Sequence, residues 1–366
     1  MHGILVTNRK KPLFLLSRSQ VAMPAFTLVT WAKTCRSKVG ESPSGLSIYI
    51  DKERNIPDLY IDADSLLHQC ASPQDTRYWA CTHTPSKRVK NFSKKTDGVT
   101  WVNNWVGESP HKRSVEDFTW EQKVSFTGSL LAAQIAFVGK VETIKEAVAK
   151  HAQYDKTFVC IGGQSNFRKS VEAKFVEYKA QRTSTKPTVF DDLVKFVKQQ
   201  YADFCIVSDN EETDDVVIRA AFSGNIVACM DKDIVANCVG WLYNFSTEEW
   251  KYNSDEDRWK KFCQQMLEGD KVDNILGVKK LSKEVQEKYS IATSGVGPVA
   301  AEKLLDGCNT EKEAWERVIE AYSSSPVSSE QWKERMQENA FFLWMCREKG
   351  QRFVLKDYLK GLGIDY

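Results

Sequence analysis

The sequence predicts an α/β fold, a central and mostly parallel sheet flanked by helices, followed by a helical region. Three observations carry this. Short apolar runs rich in Val, Ile, Cys and Phe recur at Leu59-Tyr60-Ile61, Thr157–Ile161, Phe204–Val207, Ile226–Met230 and Trp241–Phe245. Such runs are the mark of strands buried on both faces. Segments of helical spacing lie between several of them, giving the alternation of a parallel sheet. Carboxylates follow the runs directly, where open parallel sheets bind ligands beyond the carboxyl ends of their strands.

The bulk composition leaves the partner open. The chain has 366 residues, with 51 Lys and Arg against 49 Asp and Glu, a net charge of +2. That length supports two or three domains at most. Ten cysteines include no CxxC pair, and Cys160, Cys205 and Cys229 sit inside apolar runs. They read as buried thiols of a reducing cytoplasm rather than a disulfide framework. Cys81 and His83 have no second pair to complete a zinc site. No apolar run reaches about 18 residues, so no membrane span is expected.

Taken in order, residues 1–57 form a basic N-terminal extension, poorly ordered or partly structured. Its first 40 residues hold seven Lys and Arg and no acid. An α/β domain then runs over 58–245. Leu59-Tyr60-Ile61 leads into Asp62-Ala63-Asp64, a strand exit and helix start at which Asp64 is the expected N-cap. Residues 76–128 are polar, aromatic and irregular, an insertion with at most a short hairpin. Within it Lys87, Arg88, Lys90, Lys94 and Lys95 fall without an intervening acid, which reads first as a solvated face. Leu131, Ile135, Val138, Val141, Ile144 and Val148 mark the buried face of one helix. Residues 246–366 are helical. They include a turn at Gly295-Val296-Gly297 before a helix opened by Pro298, and a last long helix over 329–348.

The central stretch places five acids within seven residues, Asp209, Glu211, Glu212, Asp214 and Asp215, after one apolar run. Asp231 and Asp233 follow the next. Asp62, Asp270 and Asp273 complete the set. That much negative charge at one sheet edge is unfavourable unless cations neutralise it. An all-oxygen set without histidine favours Mg²⁺ or Mn²⁺ over zinc. Two such ions could serve phosphodiester hydrolysis. For any single pair, a solvated helix start or cap is the plainer reading; for all of them together it is not. Between Arg168 and Lys186 there are six basic residues against Glu172 and Glu177, with Phe167, Phe175 and Tyr178 interleaved. Arg168, Lys174, Lys179 and Arg182 there suit either phosphate contacts or an ordinary amphipathic helix. The Gly295–Gly297 turn offers backbone N–H groups to a phosphate, or is simply a tight turn.

On these residues the chain resembles the bacteriophage 5′→3′ exonucleases of the flap endonuclease (FEN-like, PIN-like) superfamily. The matching pieces are IDAD around Asp62, NFRK…EYKAQR…KP from Asn166 to Pro187, and EETDD ending at Asp215. MDKD ending at Asp233, EGDKVDN from Glu268 to Asn274 and GVGPVAAEKLL from Gly295 to Leu305 follow. The resemblance covers about residues 58–320. It implies that Asp62, Glu212, Asp214, Asp215, Asp231, Asp233, Asp270 and Asp273 hold two divalent ions. It places Lys179 and Arg182 on a helical arch, about 164–188, acting on the scissile phosphate. Arg168, Lys174 and Tyr178 would support that arch or contact DNA. Gly295 and Gly297 would belong to a helix–hairpin–helix-like element, about 269–306, gripping duplex DNA with a K⁺ ion. The implied reaction is Mg²⁺-dependent removal of nucleotides, 5′ flaps or RNA primers, by a monomer in the cytoplasm of an infected bacterial host beside phage replication proteins. The resemblance also implies an acid at the exit of Thr157–Ile161. Here Gly162-Gly163-Gln164 stand in that place, and a structure-specific DNA-binding protein of weak activity is the first rival. A PIN-like ribonuclease is the second.

Overall fold

In a computed structural model, residues 56–171, 173–181, 185–327 and 330–365 are described. Residues 1–55 of the N-terminal extension and Arg182 lie outside them.

The chain opens with β1 (Leu59–Asp62) and α1 (Asp64–Ala71), then a three-stranded module: β2 (Asp75–His83), β3 (Arg88–Phe92), α2 (Lys95–Gly107) and β4 (Phe118–Phe126). The main body continues with α3 (Leu130–Ala149), β5 (Thr157–Gly162), the single turn α4 (Phe167–Ser170), α5 (Phe190–Gln200) and β6 (Cys205–Ser208). Next come α6 (Thr213–Phe222), β7 (Ile226–Cys229), α7 (Lys232–Asn237), β8 (Gly240–Asn244) and β9 (Glu249–Asn253). The helical part holds α8 (Asp255–Glu268), a two-residue ladder of β10 (Gly269–Asp270) and β11 (Ile275–Leu276), α9 (Lys283–Lys288), α10 (Pro298–Leu305), α11 (Glu311–Ser323), α12 (Trp332–Leu343) and α13 (Leu355–Gly361).

The main sheet has the order β6-β5-β1-β7-β8-β9. Its first five strands pair in parallel and β9 closes the edge antiparallel to β8. Period-two alternation sends Val159 and Ile161 to one face of the sheet and Cys160 to the other. Leu66 and Leu67 of α1, Phe137 and Val141 of α3, and Leu193 and Val197 of α5 pack on the first face. Val217 and Ile218 of α6 and Ile234 of α7 cover the second. The helical region has its own core around Phe262, Met266, Trp315 and Met336. The predicted α/β class is the architecture found. Among the described residues no helix is long and apolar enough to cross a membrane, and the nine described cysteines are free.

Four expectations need correction. Leu131 and Ile135 are 63% and 65% exposed, because their spacing averages less than 3.6 residues and the stripe rotates off the buried face. Ala133, Phe137, Val141, Ile144 and Val148 are buried instead. Residues 76–128 are not irregular: β2 carries nine-residue pairing to β4, and α2 covers one side. The last long helix stops at Leu343, and Trp344 is extended. Asp64 is not an N-cap; Ala63 occupies that position and α1 begins at Asp64.

Candidate active site

The carboxyl ends of β1, β6 and β7 deliver acids to one edge. Asp62 ends β1 and is 3% exposed. Asp214 and Asp215 lie in the first turn of α6. Asp231 caps α7, its side chain accepting from the Asp233 N–H at 2.8 Å. Asp270 comes from β10, and its carboxylate accepts from Val272 N–H at 2.7 Å.

The charges of these groups interact. Burial, then the like charges of Asp64 and Asp231, raise the Asp62 carboxyl to about 8. Burial and the charges of Glu212, Asp62 and Asp231 hold Asp214 well above the ordinary range. Burial, Asp231 and Asp270 raise Asp233 to about 7, with a smaller contribution from Asp273. Elements far apart in sequence thus meet in one electrostatic neighbourhood. Among the described residues, no three or more of His, Cys, Asp and Glu are gathered tightly enough to hold an ion as they stand.

Glu212 and Asp273 are bound from the segment after α4. The Lys179 ammonium pairs with Glu212 and lies 3.4 Å from Asp273. The Tyr178 hydroxyl stands 3.0 Å from Glu212 and 3.1 Å from Asp273. Asn166 Nδ2 donates to Glu212 at 2.7 Å. Lys179 has φ +59°, the left-handed region that L-residues seldom adopt; its own N–H donates to the Asp273 carbonyl at 2.9 Å. The cation here is a side chain lodged between two carboxylates.

Asp215 and Arg168 do something different. Both are 0% exposed. The guanidinium donates to both Asp215 oxygens, at 2.7 and 2.8 Å, and to the Trp344 carbonyl. Asp215 also accepts from Glu212 N–H at 3.0 Å and Cys346 N–H at 2.7 Å. Four donors fill its acceptor capacity. The hydrogen bond and charge of Arg168 outweigh burial and hold its carboxyl below the ordinary range. Asp215 therefore has nothing left for a metal, and Arg168 cannot reach nucleic acid. Both expectations are corrected: the pair is structural.

The rest of the predicted set divides. Glu211 is held by Arg219 at 2.8 and 2.9 Å, and Asp209 by Ser165 at 3.0 Å. Lys174 pairs with Glu334 at 3.2 Å, away from the acids. The expected helical arch is absent from the described residues between Val171 and Val189. Glu338 of α12 accepts from three successive N–H groups there, those of Lys174, Phe175 and Val176, which displaces helical pairing. Gly295 and Gly297 have no positive φ, and a side chain at Gly297 would meet open space. The chain bends at Ser294–Gly295, but neither position requires glycine for its backbone conformation.

Sequence reasoning missed Asp64. Its carboxylate accepts from Gly162 N–H at 2.7 Å and from the Thr213 hydroxyl at 2.6 Å. A Cβ at Gly162 would lie 3.0 Å from Asp64 Oδ2. At the β5 exit, where an acid was expected, the carboxylate of the neighbouring strand's exit is packed instead. The second acid of Asp62-Ala63-Asp64, directly after the first apolar run, was the available signal.

No protein-family profile matches the sequence, and no curated protein matches it. Among solved structures the chain is similar to bacteriophage T5 flap endonuclease in a pseudo-enzyme–product complex with DNA and metal ions. The identity is 14%, the TM-score 0.32, and the match covers 57% of this chain and 90% of that one. A T5 protein co-crystallised with metal ions gives 13% and 0.33 over 58% and 91%. A mutant T5 5′-exonuclease gives 13% and 0.32 over 58% and 93%.

Proposed function

We propose that the protein is a metal-dependent nuclease that cleaves DNA phosphodiesters at or near 5′ ends. The observation that supports this is the meeting of Asp62, Asp214, Asp231, Asp233 and Asp270 near the carboxyl edge of the sheet, where burial and like charges raise the carboxyls of Asp62, Asp214 and Asp233 above their ordinary range. Carboxyls that repel one another out of their charged form are what a hard divalent ion restores. Their all-oxygen chemistry fits such an ion, around which the side chains would have to draw closer than they now stand. Asp62, Asp214 and Asp231 would hold one, and Asp233, Asp270 and Asp273 the other. Mg²⁺ or Mn²⁺ suits the all-oxygen set. When bound, the ions supply Lewis acidity toward a phosphate.

The chain's own groups do the rest. Lys179, now on Glu212 and Asp273, is the ammonium that can turn to a phosphate entering the site. Tyr178 stacks on Phe342 with ring centroids 4.8 Å apart, which keeps its hydroxyl on the same two acids. The backbone at Gly295, which is exposed, and at Gly297 would be offered to duplex phosphates.

The test is cleavage of 5′-labelled flap, nicked, blunt and single-stranded DNA with and without Mg²⁺. Shortening that requires the metal and is lost in Asp214→Asn and Asp231→Asn is expected. Undiminished cleavage by both variants removes these acids from the reaction. A second reading, structure-specific DNA binding without turnover, is favoured by the Gly162-Gly163 exit and the lodged Lys179. It gives branched-DNA binding with no metal-dependent product in the same assay.

A further inference from the structure

The three-stranded module is not used by the reading above. Its strands follow the order β3-β2-β4, so β3 is an edge. Its small core joins Cys81, Val102 and Phe118 with Phe92, Trp101, Trp105 and Trp120. The module is fixed to the body at its base: Asp75 accepts from Thr188 N–H at 2.8 Å, and Gln74 from Ser129 N–H at 3.0 Å. From there β2 runs about 30 Å paired along its length with β4, and β3 pairs with its last five residues, Trp79–His83.

Along that edge run Lys87, Arg88, Lys90, Lys94 and Lys95, all exposed and none in an ion pair with a described residue. Two of them are held over rings. Lys90 Nζ lies 4.3 Å from the Trp101 centroid, and Lys95 Nζ 4.8 Å from that of Trp79. Arg113 also lies over a ring, 4.1 Å from Trp105, but its charge is paired with Glu108 at 3.0 Å. Cation–π contact fixes a charge in place without neutralising it. One or two lysines suffice to keep an edge strand from pairing with another. Here the charge continues past the end of β3 onto the start of α2, where there is no edge left to protect.

We propose that this basic edge is a second nucleic-acid contact, taking the sugar–phosphate backbone of a strand outside the carboxylate site. The rings are covered by the module's own cations, so the surface reads phosphates and not bases. The choice of nucleic acid among polyanions rests on the function proposed above; the surface charge does not.

The experiment uses the full chain in EDTA, with fluorescently labelled DNA of about 30 nucleotides, single-stranded and as blunt duplex. In the Lys87→Glu, Arg88→Glu, Lys94→Glu triple variant, affinity should fall at least about tenfold. The plot of log affinity against log salt should become shallower by about two to three. Lys150→Glu with Lys156→Glu, away from the module, should leave both unchanged. A triple variant with a wild-type circular dichroism spectrum and unchanged affinity and salt slope on both probes overturns the proposal. If charge reversal prevents folding, the Gln triple at the same positions is read the same way. Neither metal nor turnover enters, so a protein that fails to cleave DNA still reports on the module.

Discussion

Arg168 and Asp215, 47 residues apart, meet in a bidentate pair with no exposed surface on either side chain. The pair joins the turn after β5 to the start of α6. Through the Trp344 carbonyl and the Cys346 N–H it also joins the C-terminal segment. Removing one partner of a buried pair leaves the other charged and unsolvated. Arg168→Ala should cost about 3–5 kcal/mol in urea unfolding, whereas an apolar pair at both positions should recover part of it. The Asp215 carboxyl lies below its unfolded value, so its contribution is full above the ordinary Asp range and is lost as pH falls below that range.

The acids around Asp62 have the opposite sign. Asp62 is raised to about 8 and Asp233 to about 7, from an ordinary value of 3.8. A folded state that keeps a proton the unfolded chain has released loses stability as pH rises. The groups titrate together, so the effect belongs to the cluster. Metal-free protein should melt lower at about pH 8 than at about pH 5.5, and Mg²⁺ should raise Tm more at the higher pH. Asp62→Asn with Asp214→Asn should flatten both trends. Scanning fluorimetry with EDTA or Mg²⁺ checks this; a metal-free Tm that climbs toward pH 8 contradicts it.

Lys179→Ala should reduce the cleavage rate by about tenfold or more while changing DNA affinity far less. Single-turnover kinetics beside an anisotropy titration separates the two. Equal losses in both would make Lys179 a tether for the strand.

Installing the acid that the β5 exit lacks should not help. In Gly162→Asp the new Cβ stands 3.0 Å from Asp64 Oδ2, and the added charge faces the carboxylate that Gly162 N–H now binds. Lower stability and no gain in activity are expected. Gly163→Ala should be worse, by about 1–3 kcal/mol or more, because its Cβ would fall 1.8 Å from the Ser208 carbonyl oxygen.

The sheet was legible because its strands are buried on both faces. Ile226–Cys229 is buried at every position, and an unbroken apolar run is how such a strand is written. That Asp62, Asp214 and Asp231 fall in one electrostatic neighbourhood has the same origin, since parallel strand ends fix where the next residues lie. The allotment of roles was not legible. Arg168 sits in a basic run that suggests solvent, yet it is wholly buried, because its partner is supplied from α6 and the C-terminal segment. Asp215 looks like its neighbour Asp214 in sequence; one step around the helix turns it inward. The module of β2 to β4 stayed hidden because α2 takes up the aromatic face, so neither a clean alternation nor a clean helical stripe is visible along the chain.

The Trp344 carbonyl and the Cys346 N–H reach back to Arg168 and Asp215. A nonsense codon just past Leu343 would spare every acid proposed to bind an ion, yet leave that guanidinium short of one acceptor and that carboxylate short of one donor. Such an allele should score as a null in a genetic screen, although every aspartate proposed to meet an ion is still encoded.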